Sequence, residues 1–384
     1  MTVSMDNGRE PQSIDNFVAG FSEDPGYLDF ARVGPIGDTV GEESNALDSI
    51  LERSRFGTLE IVEKQDARVR DALSTLTGFA AEQIVFQPNT SQGLMHTMFG
   101  ITGAVALSRS DYPSLTVSAT RASEALGVLT PVWLDTDAGR VTPGNLKSQL
   151  RKEIVAVAVS LVDYRTGYLV DLEGIRQVIG DRLLIVDATQ AMGVVDAPYG
   201  LADVVAGGGY KWLRAGWGTG FLCLSERALQ RLTPVFSGHS ATDGDPAGDG
   251  PVPPPARGAK AFAVSWSDPV AQARLAVAVE GLNDVGVAAV NARLAERVSA
   301  VIDLADEFGL PVSSARPLSE RAGIVVVTPA SDHLTVLVAS LHNHGVSVTV
   351  RDDAVRISPH VSTTDESLAM LRASFSSFAS AANL

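Results

Sequence analysis

Short apolar runs alternate with stretches of helical spacing over the first two thirds of the chain. The apolar runs predict strands at residues 84–86, 105–107, 132–134, 155–161, 183–186, 204–206 and 221–224. Between them, apolar positions three or four residues apart predict helices, the longest over residues 42–77. Strands that alternate with helices are typical of a mostly parallel sheet covered by helices on both faces. We therefore predict an α/β fold for this part of the chain.

The pattern changes after the last of these strands. Residues 240–258 are rich in Asp, Gly and Pro and predict a flexible loop, either a surface insertion or a lid over a site. Beyond the loop, the pattern predicts helices over 270–285, 288–308, 333–344 and 364–377 and strands over 323–327, 346–350 and 355–357. We interpret the chain as an N-terminal arm that contributes to the small domain, a large domain and a smaller α+β C-terminal domain, with bounds 1–45, 46–268 and 269–384. The polar residues 1–25 are expected to be loosely held.

Two of the predicted strands end in groups that can do chemistry. The run at 183–186 leads into Asp187, and the run at 204–206 leads through glycines to Lys211. Because the carboxyl ends of parallel strands share one edge of a sheet, we expect the carboxylate and the amine to lie close together. Lysine is scarce in this chain, and only lysine can lose its proton to act as a nucleophile, since a guanidinium stays charged. An aspartate for a pyridine nitrogen and a lysine for an aldehyde are what pyridoxal 5'-phosphate requires from a protein.

The segment 183–225 resembles the core signature of the class V aminotransferases, a family of fold-type I pyridoxal-phosphate enzymes. Cysteine desulfurases, selenocysteine lyases, kynureninases and isopenicillin N epimerase are members of that family. The matching pieces are VDATQAMG at 186–193, AD at 202–203, GYKWL at 209–213 and GWGTGF at 216–221. The similarity continues in order from YLD at 27–29 to RISPH at 356–360. The resemblance implies the fold-type I architecture, pyridoxal phosphate as the cofactor, and a homodimer with its sites at the interface.

The resemblance also implies roles for residues at matching positions. Lys211 would hold the cofactor and move the α-proton, Asp187 would pair with the pyridine nitrogen, and Arg356 would bind the substrate α-carboxylate. The other cofactor contacts implied by the resemblance are those of Thr90, Ser91, Tyr112, Gln190, Tyr210, Ser265 and Trp266. No residue is assigned to a metal.

These cofactor contacts differ in kind. Thr90 and Ser91 would bind the phosphate at a helix start, where backbone N–H groups are free. Tyr112 would stack on the pyridine ring, and Gln190 would donate to the phenolic oxygen of the ring. Tyr210 would reach the phosphate.

Two further cofactor contacts come from another part of the chain. Ser265 and Trp266 would contact the phosphate of the cofactor that is bound in the partner subunit. Their segment departs from the Gly-Thr or Ser-Asn pattern of the family.

Cys223 is the single cysteine of the chain, and it lies in an apolar run. Cysteine desulfurases carry a nucleophilic cysteine shortly before the carboxylate-binding arginine. The corresponding stretch here, residues 347–354, has none. The sequence therefore disfavours a desulfurase that forms a persulfide on the protein.

The resemblance implies chemistry at the α-carbon of an amino acid, through an external aldimine and a quinonoid. Transamination and Cβ–S lyase chemistry fit equally well at this point. Amino-acid epimerase and kynureninase-like hydrolase are alternatives, and a non-catalytic protein that binds pyridoxal phosphate is an alternative of another class. The residues around the substrate side chain decide the reaction, and Phe30, Arg32, His239 and the 240–258 loop are candidates.

Composition limits the partners and the location. A net charge of -15 argues against nucleic acid and anionic membranes as partners, which leaves a small amino-acid substrate and a second copy of the chain. No apolar run is long enough to span a bilayer, and the first residues lack the apolar core of a signal peptide. With one cysteine, no intramolecular disulfide can form, so we predict a cytoplasmic protein.

Overall fold

A computed structural model describes residues 12–247 and 249–382, and within these ranges the larger sheet has seven strands. These strands are β1 (Ile84–Gln87), β2 (Gly103–Ser108), β3 (Leu129–Leu134), β4 (Ile154–Ser160), β5 (Leu183–Asp187), β6 (Val204–Gly208) and β7 (Gly220–Leu224). Their spatial order is β1-β7-β6-β5-β4-β2-β3, and β7 runs antiparallel to both of its neighbours. The remaining strands run in the same direction and end at one edge of the sheet. The predicted mostly parallel α/β fold is confirmed.

Helices pack on both faces of this sheet and against a second, smaller sheet. Their bounds are α1 (Ile14–Val18), α2 (Asp38–Glu52), α3 (Thr58–Thr77), α4 (Thr90–Gly100), α5 (Pro113–Leu126), α6 (Pro143–Gln149), α7 (Leu172–Ile179), α8 (Glu226–Arg231), α9 (Pro269–Val285), α10 (Val287–Glu307), α11 (Leu334–Asn343) and α12 (Asp365–Ala381). In the described ranges no single helix is long and apolar enough to cross a bilayer, although α9 and α10, bent by 86°, reach that length and composition as a pair.

The helix predicted over residues 42–77 is wrong as one element. The chain forms α2 and α3 instead, and the break lies between Glu52 and Thr58. Gly57 precedes α3 with φ of 85°, a conformation that residues with a Cβ rarely adopt. The two helices both pack against α9.

The prediction of a loosely held arm is wrong for residues 12–25, whereas residues 1–11 lie outside the described residues. The backbone N–H of Gln12 donates to the carbonyl of Asp284, and Ser13 caps α1. The rings of Phe17 and Phe21 meet edge to face with centroids 5.1 Å apart. These apolar side chains bury surface that a polar composition does not reveal, and this burial holds the arm on the protein.

The second sheet is antiparallel and consists of β8 (Val325–Val327), β9 (Thr349–Arg351) and β10 (Ala354–Ile357), with β10 in the centre. The strand predicted over 346–350 is therefore shorter and begins later. Single bridges join Tyr27 to Ser347 and Asp29 to Ser358. The arm thus runs alongside this sheet and brings Asp29 next to β10.

The segment 240–258 has little regular structure, as predicted. A single bridge joins Thr242 to Pro255 and closes the segment into a loop. Gly248 lies outside the described residues.

Candidate active site

Lys211 lies just beyond β6, at the sheet edge where the parallel strands end. The residue is 4% exposed, and its Nζ lies 5.5 Å from the ring centroid of Tyr112 and 5.3 Å from that of Tyr210. Burial lowers the pKa of Lys211 to about 8; the negative charge of Asp187 opposes this shift, and the positive charge of Arg356 adds to it. A substantial fraction of the amine is therefore neutral near physiological pH, as a nucleophile requires.

Asp187 ends β5, between Ser160 on β4 and Ala206 on β6. Its Oδ1 accepts a hydrogen bond from the backbone N–H of Thr189 at 2.9 Å. Burial raises the pKa of Asp187, while the bonds from Thr189 and the charge of Lys211 lower it. A buried carboxylate of this kind is stabilised in its ionised form by a cation placed beside it.

The start of α4 faces the same edge. Asn89 caps the helix by accepting from the N–H of Gln92 at 2.9 Å, so the helix begins at Thr90. The hydroxyl of Thr90 lies 2.9 Å from that of Thr189. The first N–H groups of a helix have no partner within the helix, which makes this end suitable for an anion.

Ser114 and Gly208 lie next to the start of α4. Ser91 is exposed, and its hydroxyl lies 2.6 Å from that of Ser114 at the start of α5. A Cβ on Gly208 would lie 2.9 Å from Oγ1 of Thr90, so only a glycine leaves this corner open.

Tyr112 precedes α5 and is 37% exposed. Its ring meets that of Tyr164 edge to face, with centroids 5.0 Å apart. The adjacent Asp111 accepts from the backbone N–H of Ser160 at 3.0 Å, and burial raises the pKa of Asp111 to about 6. Asp111 and Tyr164 were not predicted as site residues. For Asp111 a usable signal was Pro113, two positions later, which marks a helix start.

Gln190 has two protein partners. Its Nε2 donates to the carbonyl of Ala31, and its Oε1 accepts from the indole N–H of Trp212, both at 2.9 Å. The side chain therefore ties the arm to the loop that carries Lys211. The second N–H of Nε2 can still donate to a ligand. The donation to the phenolic oxygen of the cofactor stays a prediction.

Arg356 lies on β10, opposite Thr349 of β9, and its side chain is 12% exposed. Its Nη1 donates to the carbonyl of Tyr164 at 2.9 Å, and its Nη2 lies 3.2 Å from Oγ1 of Thr349 and 3.5 Å from Oδ1 of Asp29. Burial raises the pKa of Asp29, whereas the hydrogen bond from Thr349 and the charge of Arg356 lower it. Asp29 was not predicted as a site residue, although a lone acid in the apolar stretch at Leu28–Phe30 was a usable signal.

Three predicted residues lie on the outer side of the site. The ring of Tyr210 stacks on Trp217, with centroids 4.4 Å apart, and burial raises the pKa of Tyr210 to about 12, so the phenol keeps its proton. Ser265 and Trp266 are exposed, Trp266 to 82%. Their predicted contact with the cofactor of a partner subunit stays a prediction.

The arm packs against the backbone of the segment that carries Lys211. The N–H of Gly34 donates to the carbonyl of Tyr210 at 2.9 Å, and a Cβ on Gly34 would collide with the carbonyl oxygen of Lys211. Phe30 is fully buried and stacks on His360 with centroids 4.7 Å apart. The expectation that Phe30 lines the substrate side chain is therefore wrong, because its ring faces the core.

Cys223 lies inside β7 and is fully buried. Burial raises the pKa of its thiol to about 12. Because the thiolate is the reactive form, this cysteine is not suited to be a nucleophile.

Pyridoxal phosphate fits these residues. The buried amine of Lys211 can take its aldehyde, and the buried carboxylate of Asp187 lacks the full countercharge that a protonated pyridine nitrogen would supply. The open corner at Gly208, beside Thr90 and the start of α4, can take the phosphate.

The family model of the class V aminotransferases matches residues 53–384. A search of the curated proteins found no match. Several solved structures share the fold of this chain.

Three of the similar structures illustrate this likeness. The apo cysteine desulfurase of Thermococcus onnurineus NA1 is 20% identical, with a TM-score of 0.79 over 91% of this chain and 93% of that chain. The cystine C-S lyase C-DES, in complex with its product cysteine persulfide, is 19% identical, with a TM-score of 0.82 over 92% and 97% of the two chains. The cysteine desulfurase CsdA of Escherichia coli is 16% identical, with a TM-score of 0.82 over 96% and 99%.

Proposed function

Because the chain belongs to the class V aminotransferase family of pyridoxal-phosphate proteins, we propose that it cleaves the Cβ–S bond of a cysteine-derived amino acid. The observation that carries chemistry at the α-carbon is the position of the buried Lys211 amine, between the rings of Tyr112 and Tyr210 and within electrostatic reach of Asp187 and Arg356.

Lys211 and Asp187 do complementary work in this proposal. When bound, pyridoxal phosphate supplies an aldehyde that joins to amines and a ring that withdraws electrons from the α-carbon. The Asp187 carboxylate places a fixed negative charge at the end of β5, which keeps a ring nitrogen protonated. Lys211, with its pKa lowered to about 8, can take a proton at Nζ and return it.

Arg356 positions the substrate. A guanidinium binds a carboxylate through two parallel hydrogen bonds, which fixes the direction of the groups on the neighbouring carbon. Tyr164 and Thr349 already hold the guanidinium at 2.9 and 3.2 Å, so little side-chain entropy is lost when the carboxylate arrives.

Carbon–sulfur cleavage is the reaction that we favour over transamination. It is supported by the likeness to a cystine C-S lyase and to cysteine desulfurases. Transfer of sulfur to a protein thiol is disfavoured because Cys223 is buried and its thiol stays protonated. The proposed overall reaction therefore releases the sulfur in a small product: a cysteine conjugate and water give pyruvate, ammonia and a thiol or persulfide.

We also propose that the protein is a cytoplasmic homodimer. Trp217 and Trp266 are 63% and 82% exposed, and large aromatic side chains are enriched in the centres of protein interfaces. Ser265 and Trp266 would then face the site of the partner. The single cysteine suits a reducing compartment.

The test is a panel of amino acids given to the cofactor-loaded enzyme. Release of pyruvate from cystine or an S-conjugate of cysteine, without any added keto acid, is the expected result. Conversion of the cofactor to its amine form, reversed by a keto acid, would instead make the protein a transaminase. Lys211→Ala should abolish both the visible absorbance of the attached cofactor and turnover, and Lys260→Ala, at an exposed lysine, is the matched control.

A further inference from the structure

The β9–β10 hairpin carries more positive charge toward the site than one carboxylate requires. Arg351 pairs with Ala354 in the hairpin, and Thr349 pairs with Arg356. Because alternate residues of a strand point to the same face, Arg351 shares its face with Thr349 and Arg356. The guanidinium carbon of Arg351 lies 5.1 Å from the ring centroid of Tyr164, whose carbonyl accepts from Arg356. The two guanidinium groups therefore flank Tyr164.

A third arginine approaches from the arm. Nη1 of Arg32 lies 4.0 Å from Oδ2 of Asp29, while Oδ1 of the same carboxylate faces Arg356 at 3.5 Å. The Arg32 side chain is 73% exposed. The positive charges of Arg351 and Arg32 each lower the pKa of Arg356, so both cations lie within electrostatic reach of Arg356.

The acids at this rim do not satisfy these cations. Asp29 is shared between Arg32, Arg356 and the hydroxyl of Thr349, which donates to it at 2.7 Å. The acid beside Arg351 is Asp352, at 3.4 Å, in an exposed pair of the kind that contributes little.

Arg165 lies at the same rim and differs from Arg32 and Arg351. It is bound by Asp163 at 2.9 Å. Within the described residues, Arg32 and Arg351 donate no hydrogen bond to a carboxylate and remain available to a ligand.

We propose that the substrate side chain carries a second carboxylate, bound by Arg32 and Arg351 beside the α-carboxylate site at Arg356. This inference rests on the proposed function, since it takes Arg356 as the α-carboxylate site. An amino acid with an apolar side chain would offer no partner to these two guanidinium groups. A second carboxylate would give them charge-assisted hydrogen bonds, which are stronger than neutral ones. The local excess of positive charge stands in a chain with a net charge of -15 and would draw an anionic substrate to this rim.

Binding of unreactive ligands tests the proposal without chemistry. Calorimetry would measure the affinities of glutarate and of butyrate for the cofactor-loaded enzyme at low ionic strength. We expect glutarate to bind at least about tenfold more tightly than butyrate. The double variant Arg32→Gln/Arg351→Gln should reduce this ratio below about twofold while butyrate affinity changes little. The control is Arg372→Gln, because the side chains of Arg351 and Arg372 are both 54% exposed, and this variant should bind as the wild type does.

The outcomes separate this proposal from the function on which it rests. Equal affinity for the two ligands in the wild type, or a preference that survives in the double variant, would overturn the second carboxylate site. Arg356→Gln should lose affinity for butyrate as well as for glutarate. If butyrate binding survives in Arg356→Gln, the proposed function fails, whereas the glutarate preference still reports on Arg32 and Arg351.

Discussion

Arg356 and Asp29 are 327 positions apart in the chain, and their side chains meet at 3.5 Å inside the candidate site. Asp29 comes from the N-terminal arm and Arg356 from β10. The carboxylate holds the guanidinium from one side, and the carbonyl of Tyr164 holds it from another. The arm is therefore part of the candidate site.

Replacing Arg356 should separate substrate binding from cofactor binding. We expect Arg356→Gln to lower kcat/KM for amino acids by about 100-fold, because the bidentate contact with the carboxylate is lost. Arg356→Lys should recover only part of this loss, since an ammonium lacks the planar fork. Steady-state kinetics checks the loss, and the visible absorbance of the attached cofactor should be unchanged. An equal loss of cofactor binding would contradict the assigned role.

The pKa of Lys211 should appear in the rate of cofactor attachment to the apoprotein. The neutral amine is the reactive form, so the rate should rise about tenfold per pH unit below the pKa and level off above it. With a pKa of about 8, the change of slope should lie near that pH. In Asp187→Asn the profile should move to lower pH, because the charge of Asp187 raises the pKa of Lys211. Stopped-flow absorbance measures both, and an unchanged profile in the variant would count against the coupling.

Cys223 should be chemically silent in the native protein. A disulfide reagent is expected to find no reactive thiol until denaturant is added, and then one thiol per chain. Burial and a pKa raised to about 12 both suppress the thiolate. Ser376→Cys, at an exposed position of α12, should react at once under native conditions and serves as the control. Rapid labelling of the wild type would reopen the persulfide mechanism.

Arg214 and Glu23 should contribute strongly to stability. Arg214 is completely buried, and its Nη2 lies 2.7 Å from Oε2 of Glu23 in the arm. Glu23→Gln leaves a buried guanidinium without its countercharge, so we expect the free energy of unfolding to fall by about 3 kcal/mol. Denaturant titration measures it.

The control for this prediction is an ion pair on the surface. Glu307→Gln removes the exposed partner of Arg372, and the loss should stay below about 1 kcal/mol. If both variants lose a similar free energy of unfolding, the buried pair of Arg214 and Glu23 stabilises the protein no more than a surface pair does.

The proposed dimer should depend on Trp266. This side chain is 82% exposed, and a charge in its place should weaken an apolar interface. We expect light scattering to give the mass of two chains for the wild type and of one chain for Trp266→Glu at micromolar concentration. Leu318→Glu, which places the same charge on a leucine that is 64% exposed, should stay dimeric. A monomeric wild type would refute the dimer.

The strands of the larger sheet could be predicted because each is a short apolar run. The predicted 183–186 and 204–206 became Leu183–Asp187 and Val204–Gly208, and the chemistry-bearing residues lie at their ends as expected. Helix boundaries that depend on the backbone conformation of one residue were harder to predict. An example is Gly57, where a positive φ separates α2 from α3.

Other features of the site left little trace in local sequence. Thr349 and Arg351 face the site only because the arm and the β9–β10 hairpin cross beside Tyr164. Phe30 points away from the site because His360 offers its ring a buried partner. Neither relationship has a periodicity or a spacing that a pattern could reveal.

The sequence by itself determined the α/β class, the strands, and the aspartate and lysine at two strand ends, because local hydrophobic periodicity and residue chemistry are properties of neighbouring positions. Only the tertiary structure decided that the arm is docked through Glu23 and Arg214, that Asp29 holds Arg356, and that burial brings the pKa of Lys211 to about 8. Burial and long-range contacts arise from how distant segments pack against each other, and that packing is a property of the whole chain.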